Sequence, residues 1–579
     1  MRWAVSSLPT RSRLSWLHVL TLELLRLIGP VLVLFGIAAV VVISARRTKV
    51  RRLRELRAWW GHIPPDQSTL AVARVLLDHG LPGSQENTYS LDDTTWADLD
   101  LDELFRRLNR CVSPLGSQVL YVMMRRPRLD RVQLDRRREQ TSRFRRDASL
   151  REQLQLTLFA LRDRRAAQLA RMLWEDLPEP LPVAYLAPFL SIAAIAGFAF
   201  AWVGLLSWAA LVALFLLNSI VHFVQRRDLE HLPLRQLGAL LSAAHQLAQH
   251  VHALPNDVAA HIRPAVAATK ALRRRLAPLE IEDDLGLVQY VKIYLLLDVI
   301  AYLLVAPLVR RTTAELRTLF AALGEIDALL AVASYLEENS DVCRPELTPD
   351  AAGWRLEGIR HPLIPVAVPN DFQLAHRAAL VTGSNMSGKT TFLKTLGVNA
   401  VLAQTFDFVL ATAYTMPFCR VLTSISRADN LVEGRSYYLA EVESILRLVR
   451  VAQARDLHLL LADEIFRGTN PEERVAGAAA VLGWLAQGDH IVLAATHDLE
   501  LVNLLVPTYT SYHFAESIDA RGLSFDFIIR PGPSTTRNAL NLLERAGYPA
   551  MLVQQARTLV EARTKRGSKP ATTTATPGE

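Results

Sequence analysis

A glycine-rich loop between a strand pattern and a helix pattern constrains the fold of this chain more than any other feature. The sequence Gly-Ser-Asn-Met-Ser-Gly-Lys-Thr occupies residues 383–390, directly after the apolar pair Leu380 and Val381, and a helical apolar pattern begins at Phe392. Glycines at these positions let backbone N–H groups surround a polyphosphate, and the N-terminus of the following helix adds a favourable dipole. A chance glycine-rich turn is the alternative, but the strand before the loop and the helix after it favour a nucleotide-binding site.

The residues of this loop have predicted roles in holding a nucleotide. Lys389 is expected to reach the β- and γ-phosphates, and Thr390 is expected to offer its hydroxyl to Mg²⁺. The predicted nucleotide contacts are Gly383, Ser384, Asn385, Met386, Ser387, Gly388, Lys389, Thr390 and Thr391.

Two further apolar runs lead into residues suited to phosphate chemistry. Residues 458–462 have the pattern of a buried parallel strand and precede Asp463 and Glu464. We expect Asp463 to hold Mg²⁺ through water, and Glu464 to orient or deprotonate the attacking water. The run 491–495 leads to His497. Taken alone this histidine is an ordinary strand-end residue, but beside the other two elements it is expected to sense the γ-phosphate.

Together these segments resemble the ATPase domain of the MutS mismatch-repair family. The resemblance is carried by the loop, by Asp-Glu-Ile-Phe-Arg-Gly-Thr at residues 463–469 and by Ala-Thr-His ending at His497. Residues 427–441 resemble the family's signature segment, in which Ser436 would face the ATP of a partner subunit. The resemblance implies ATP and Mg²⁺ as ligands, Glu464 and the histidine as catalytic residues, and a homodimer of head-to-tail ATPase domains.

Three positions depart from the family pattern. The family usually has proline where Ser384 stands, and glycine where Ser387 and Phe466 stand. None of these departures removes a phosphate or metal ligand, although Phe466 could reshape the dimer interface.

The amino-acid composition indicates which cellular compartment and which binding partners suit this chain. The chain has 579 residues, enough for several domains, and 50% of them are apolar, a high share for a soluble protein. Its cysteines, Cys111, Cys343 and Cys419, lack the spacing of a metal site, which argues for a reducing compartment without a disulfide framework. The net charge of +8 is compatible with nucleic acid or anionic lipid as a partner.

Uncharged stretches predict membrane spans. Residues 27–44 are apolar and are followed by a basic cluster, and they are long enough to cross a bilayer. A cleaved signal peptide is the alternative; the length of the run and the lack of a small-residue cleavage site favour an anchor. Residues 180–225 contain no Asp, Glu, Lys or Arg, which predicts a hairpin of two spans at about 186–224, turning near residues 202–204. A hairpin buried inside a globular domain is the alternative.

The predicted topology is that of a multi-pass membrane protein with three spans. Because the ATPase needs cytosolic ATP, the part of the chain after the hairpin is expected in the cytoplasm. A hairpin returns the chain to its starting side, so residues 46–180 are expected there too.

The helical segments resemble the MutS core domain more loosely. Residues 101–140 have the order of a leucine-rich helix, a Ser-x-x-Gly turn, an Arg-Pro break and an arginine-rich helix. The arginines within 136–138 and 143–146 could contact phosphates, but a solvated or lipid-facing surface is favoured because helical charge runs usually form one. The run 285–309 contains Lys292 and has its apolar residues on one face, which predicts one core helix instead of a third span.

These observations predict an α/β P-loop ATPase domain of the ABC type, preceded by an all-α domain like the MutS core and accompanied by transmembrane helices. The expected divisions are a membrane anchor with a basic flank at 1–60, a helical domain at 61–345 interrupted by the hairpin, the ATPase domain at 346–563, and a disordered tail at 564–579.

Two functions from different classes follow. The first is a membrane-anchored ATPase that binds and hydrolyses ATP at a dimer interface to drive conformational change. DNA would be at most a weak ligand, without mismatch preference, because too few residues precede the core-like segment for the family's mismatch-reading domain. The second is a membrane scaffold switched by ATP, with little hydrolysis and no DNA ligand. The first is favoured by the intact set Lys389, Thr390, Asp463, Glu464 and His497.

Overall fold

The fold combines a helical N-terminal part with a C-terminal part built on two sheets. The computed structural model describes residues 43–44, 46–81, 89–229, 232–249, 256–276, 287–348, 354–374, 376–425, 437–506, 508–519, 522–534, 543 and 547–567. Ser436 and the predicted anchor at 27–44, apart from residues 43–44, lie outside this part of the chain.

The N-terminal part consists of helices of very different lengths. These are α1 (46–59), α2 (Leu70–Arg74), α3 (Asp93–Asp98), α4 (Leu101–Leu108), α5 (Pro114–Arg125), α6 (Arg131–Arg146), α7 (Ala148–Phe159), α8 (Leu169–Trp174), α9 (Ala187–Trp202), α10 (Trp208–Leu229), α11 (Leu234–Gln249), α12 (Asn256–Ala268), α13 (Lys270–Leu276), α14 (Leu287–Tyr294), α15 (Leu297–Arg311) and α16 (Thr313–Glu338). Short 3₁₀ segments cover Arg164–Gln168 and Pro182–Leu186.

The C-terminal part alternates strands with helices. Its strands are β1 (Glu346–Thr348), β2 (Trp354–Ile359), β3 (Asn370–Leu374), β4 (Ala378–Thr382), β5 (Ala413–Pro417), β6 (Arg420–Ser424), β7 (His458–Asp463), β8 (Ile491–Thr496), β9 (Thr510–Asp519) and β10 (Gly522–Pro531). Its helices are α17 (Lys389–Phe406), α18 (Tyr437–Val451), α19 (Pro471–Leu485), α20 (Leu499–Leu505) and α21 (Ala550–Gly567). The last helix runs past residue 564, where the sequence predicts the start of a disordered tail.

These strands form two mixed sheets. The larger has six strands in the order β10-β9-β4-β8-β7-β6, parallel from β9 to β6 and antiparallel at β10. The smaller has the order β1-β5-β2-β3. Strands β4, β7 and β8 are buried along their whole length, as their continuous apolar sequences require. Their carboxyl ends therefore meet at one edge of the larger sheet.

Three helices in the described residues are long and apolar enough to cross a membrane, and burial separates them into two kinds. In Thr313–Glu338, 83% of the most apolar stretch is buried in the protein. In Pro182–Trp202 and in Trp208–Gln225, only 28% of the corresponding stretch is buried. Helix α16 packs closely against α5, where a side chain at Gly324 would collide with Val119. Helix α16 is therefore a core helix, and α9 and α10 form an exposed apolar hairpin.

The prediction of one core helix over residues 285–309 is wrong in part: Val299 and Tyr302 are buried as expected, but the helix is not continuous. Leu296 has φ +50°, a left-handed conformation that divides this run into α14 and α15. Leu296 and Val299 pack with Ala184, Ala187 and Val221, which belong to the hairpin and the turn before it. The run is thus a broken helix that packs on the hairpin.

The prediction that the arginines of α6 form a solvated surface is also wrong in part. Arg137 is buried, and its guanidinium donates to the carbonyl of Thr405 at 2.7 Å. Arg131 forms an ion pair at 2.9 Å with Asp407, at the end of α17. These side chains join the helical part to the sheet part, a role that a charge pattern alone does not reveal.

A segment of the helical part covers the free edge of the larger sheet. Strand β6 lies at that edge, where its outward N–H groups would lack partners. The hydroxyl of Tyr89 accepts from Val421 N, and Asp98 Oδ2 accepts from Ile425 N at 2.9 Å. Thr95 Oγ1 accepts from Thr423 N between them. One continuous hydrophobic core spans the helical and sheet parts.

Candidate functional site

The glycine-rich loop connects the carboxyl end of β4 to the first residue of α17. Gly383 and Gly388 have φ +150° and +110°, which side chains rarely adopt. A Cβ at Gly383 would lie 2.7 Å from Ser387 Oγ and 3.1 Å from the carbonyl of Phe514. The loop can therefore close only with glycine at this position, while Asn385 and Met386 stay exposed on its rim.

Lys389 is buried beneath this loop. Its Nζ donates to the carbonyl of Gly383 at 2.7 Å and to that of Ser384 at 2.9 Å. Burial lowers the pKa of Lys389, and the nearby carboxylates of Glu464 and Asp463 counteract the lowering. The ammonium group thus lies under the loop, on carbonyl groups that a phosphate oxygen could replace as its partner.

Ser384 is held from a second side. Its hydroxyl donates to the carboxylate of Glu516 on β9. This hydrogen bond explains how serine can stand where the family usually has proline. Proline would restrict the backbone angle φ at this position, whereas the serine side chain is held by its bond to Glu516. It also brings a carboxylate next to the loop, which the sequence analysis did not anticipate.

Thr390 and Asp463 meet across the ends of β4 and β7. Thr390 Oγ1 donates to Asp463 Oδ2 at 2.5 Å. Asp463 Oδ1 is buried and has no hydrogen-bond partner among the described residues, and burial raises the pKa of this carboxyl group. A hydroxyl and a carboxylate oxygen in contact, with one oxygen left over, fit the oxygen ligands that Mg²⁺ prefers.

Glu464 and His497 form a second pair at the ends of β7 and β8. His497 Nδ1 lies 3.0 Å from Glu464 Oε1, and Arg467 Nε lies 3.2 Å from the other carboxylate oxygen. The hydrogen bond with His497 lowers the pKa of Glu464, and the bond with Glu464 raises the pKa of His497. The glutamate is therefore held ionised and oriented.

The backbone helps to aim Glu464. Its φ is +46°, outside the range of the strand that precedes it, and its N–H donates to the carbonyl of Ala495 at 3.0 Å. The side chain thus leaves the sheet at its carboxyl edge, where ligands of open α/β sheets bind.

An apolar cavity of about 240 Å³ adjoins the start of α17. Its wall includes Gly388, Thr391 and Phe527, whose ring lies 3.3 Å from the Cβ that Gly388 lacks. A register irregularity between β9 and β10 at Phe525 and Ile529 places Phe527 there. The remaining walls come mostly from the connection between β2 and β3, including His361 and Val368. This cavity is not apparent from the sequence because its walls lie far apart along the chain.

The structure brings together most of the residues predicted for the site. Lys389, Thr390, Asp463, Glu464 and His497 all lie at the carboxyl edge formed by three neighbouring parallel strands. Ser387 is buried within the loop and Thr391 is exposed beside the cavity. Ser436 lies outside the described residues; helix α18 begins at the next residue, Tyr437.

Comparison with known proteins agrees with this geometry. Residues 379–563, which include the whole site apart from the cavity wall before β4, match the family model of MutS domain V. The C-terminal region of this chain is thus similar to MutS domain V.

MutS relatives cover the same part of the chain. A DNA mismatch repair protein MutS from Natronomonas pharaonis is 33% identical over 267 residues, and one from Thermus thermophilus is 34% identical over 261 residues. Each alignment covers 44% of this chain and 31% of the relative. A protein called DNA mismatch repair protein MutS 2, from Halobacterium salinarum, is 34% identical over 251 residues, 42% of this chain and 28% of that relative. The chain therefore matches about a third of the length of these MutS proteins.

Proposed function

We propose that this protein is a membrane-anchored ATPase that binds and hydrolyses MgATP in an ABC-type P-loop domain. The observation that carries the proposal is the pair of contacts at the edge of the sheet: Thr390 with Asp463, and Glu464 with His497. The first pair suits a metal ion and the second suits a water molecule, and both lie beside a loop shaped for phosphates.

Each residue has a defined part in the proposed reaction. Lys389 exchanges the loop carbonyls for the β- and γ-phosphate oxygens, and the backbone N–H groups of residues 383–388 surround the phosphates. Thr390 and Asp463 would hold Mg²⁺, which, when bound, neutralises charge on the phosphates. Glu464 accepts a hydrogen bond from the attacking water, and His497 holds Glu464 in place. The apolar cavity beside Gly388 and Thr391 is the proposed site of the adenine base, because it adjoins the loop proposed to bind the phosphates.

The proposed reaction takes place in a homodimer. Family resemblance gives Ser436 a role at the partner's ATP, and helix α18 follows that residue directly. Tyr438, Leu439 and Leu446 are exposed apolar side chains on α18. Glu441 on this helix accepts from the backbone N–H of Arg467 at 2.8 Å, close to the acidic pair. A partner seated on α18 would therefore affect the loop that carries Glu464.

Membrane attachment is supported by the inverted polarity of the hairpin. Its large apolar side chains are exposed, including Phe189, Ile192, Ile195, Phe198, Trp202, Leu205, Val212 and Ile220. Its polar side chains are buried against the protein, including Ser191, Asn218, His222 and Gln225. Such a surface is unfavourable in water and suits lipid. The hairpin at about 186–224 is thus proposed to span the bilayer, with the ATPase in the cytoplasm.

DNA is proposed to be a weak ligand at most. Two arginines of α6 have partners in the sheet part: Arg137 with Thr405 and Arg131 with Asp407. Arg138, Arg143, Arg145 and Arg146 of the same helix are exposed, and they could give only salt-sensitive, sequence-independent binding.

The test of hydrolysis uses two substitutions and a matched control. Lys389→Ala should abolish ATP binding, and Glu464→Gln should keep binding but reduce turnover by roughly 100-fold or more, because the water loses its carboxylate. Glu472→Gln makes the same chemical change at an exposed position on α19 and should have no effect. Equal turnover in Glu464→Gln and wild type would contradict the assignment. ATP binding without turnover in the wild type would indicate a switched scaffold instead.

The test of topology uses exposed positions on either side of the hairpin. A cysteine at Leu205, in the turn between α9 and α10, should react with an impermeant reagent added outside intact cells. A cysteine at Val132, exposed on α6, should react only after lysis. Labelling of position 132 from outside would overturn the proposed orientation.

A further inference from the structure

We propose that the break between α14 and α15 is inserted into the membrane beside the hairpin, with its outer face in contact with lipid acyl chains. This inference rests on the membrane hairpin proposed above. It assigns lipid contact to a segment whose charges, Lys292 and Asp298, conceal it in a hydropathy profile.

The depth of the break follows from its contacts with the hairpin. The hydroxyl of Tyr294 donates to the carbonyl of Ala194 at 3.0 Å, and its ring stacks on Phe215 with centroids 6.1 Å apart. Ala194 and Phe215 lie well inside the candidate spans Pro182–Trp202 and Trp208–Gln225. If those helices cross the bilayer, the end of α14 lies within the hydrocarbon layer.

A side chain of the hairpin supplies a hydrogen bond to the backbone at the break. The turn at Leu296 interrupts the helical bonding that would otherwise use the carbonyl of Tyr294. That carbonyl accepts a hydrogen bond from Asn218 Nδ2 at 2.6 Å, and Asn218 is fully buried. Non-helical backbone at membrane depth is tolerated where protein groups complete its hydrogen bonds. This contact also explains why an asparagine interrupts the apolar sequence of α10.

The two faces of the broken helix have different surroundings. Leu296 and Val299 are buried against the hairpin. On the other side, large apolar side chains are exposed: Tyr290, Val291, Leu297 and Leu304. This exposed face continues the apolar surface of α9 and α10, so the same occupant, lipid, suits both. Lys292 and Asp298 are only half-buried, and side chains of this kind can extend towards the headgroups.

The test measures lipid contact residue by residue in the full-length protein reconstituted in phospholipid vesicles. Single cysteines at Val291 and Leu297 carry an environment-sensitive fluorophore. Quenching is measured with phospholipids spin-labelled on the acyl chain and, separately, with aqueous iodide. A cysteine at Ile195 on α9 is the lipid-facing control, and one at Val132 on α6 is the water-facing control. The native cysteines are buried or half-buried, and the unlabelled parent gives the background.

We expect positions 291 and 297 to be quenched by the spin-labelled lipid as strongly as position 195, and several-fold less by iodide than position 132. Quenching of these two positions by iodide, or by neither reagent, while position 195 responds to lipid, would overturn the inference and leave the hairpin intact. Absence of lipid quenching at position 195 would instead overturn the membrane hairpin itself.

Discussion

Arg131 and Asp407 form a bidentate ion pair that joins α6 of the helical part to the C-terminal end of α17. Arg131 Nη1 lies 2.9 Å from Asp407 Oδ1, and its Nη2 lies 3.2 Å from Oδ2. Arg344 and Arg138 approach the same carboxylate at 3.2 Å and 3.8 Å. Helix α17 begins at Lys389, which is proposed to bind phosphate, and ends beside Asp407. The proposed phosphate site and the arginine cluster therefore lie at opposite ends of one helix. Movement at the nucleotide site could therefore reach α6 through a rigid element.

Replacement of Asp407 by asparagine tests how much this ion-pair cluster contributes to the free energy of unfolding. The carboxylate is completely buried, and its loss leaves three arginines without their shared partner. We expect a loss of about 2 kcal/mol in the free energy of unfolding. Asp407 has φ +58°, which asparagine adopts readily, so the substitution removes charge without straining the backbone. Denaturant unfolding of the purified variant gives the value; an unchanged midpoint would show that the arginines are satisfied by solvent.

The stability of the Glu464–His497 pair should depend on pH with a defined sign. The contribution of ionised Glu464 to the free energy of unfolding is complete above the ordinary glutamate pKa of 4.5. It is lost as pH falls through the lowered pKa of this residue. The contribution of His497 is complete below the ordinary histidine pKa of 6.5 and is lost as pH rises through its raised pKa. The pair is therefore fully formed between these two ordinary values.

We accordingly expect His497→Asn to lower the melting temperature more at about pH 5.5 than at about pH 9. Thermal unfolding followed at both pH values provides the comparison. His376→Asn, at an exposed histidine, is the control and should show no such difference. A larger effect of His497→Asn at the alkaline pH would mean that the sign of the coupling is wrong.

Glu516 should weaken the binding of nucleotides in proportion to their phosphate charge. Its carboxylate is bonded to Ser384 in the loop that would surround the phosphates. Glu516→Gln keeps an acceptor for the serine hydroxyl but removes the negative charge. We expect roughly threefold to tenfold tighter binding of ATP, a smaller gain for ADP and none for adenosine. Calorimetric titration measures all three, and Ser384→Ala is the control that removes the hydrogen bond alone. Weaker ATP binding in Glu516→Gln would show that the carboxylate supports the loop more than it repels the ligand.

DNA binding should be weak, salt-sensitive and indifferent to mismatches. Arg137 and Arg131 are engaged with the sheet part, so phosphate contacts on α6 would come mainly from its exposed arginines, Arg138, Arg143, Arg145 and Arg146. Titration of the detergent-solubilised protein with matched and mismatched duplexes at about 50 mM and about 200 mM salt decides this. A preference for the mismatch that persists at the higher salt would contradict the prediction.

The parts of the site that the sequence predicts are those governed by local patterns. Apolar runs before residue 383, before Asp463 and before His497 identify strands, and parallel strands bring their carboxyl ends together. The hairpin follows in the same way, from forty-odd residues without a charge at 180–225. In each case neighbouring residues contain the whole signal.

The features that sequence reasoning missed depend on contacts between distant residues. Glu516 lies far along the chain from Ser384, and Arg137 lies far from Thr405, so neither partner is apparent from spacing. The break at Leu296 has no glycine or proline to announce it. A tertiary contact, the hydrogen bond from Asn218 to Tyr294, accounts for it.

The cover on β6 has a practical consequence for dissecting the molecule. Tyr89, Thr95 and Asp98 bond to alternate N–H groups of a strand that is more than three hundred residues away in sequence. A fragment that begins at β1 would leave those groups unpaired along the edge of the sheet, and unpaired edges recruit other strands. Such a fragment should precipitate or form ribbons of paired edges, and adding back a peptide of residues 89–98 should keep it soluble. The half of this protein that contains the candidate site is therefore completed by residues that a domain boundary at 345 would discard.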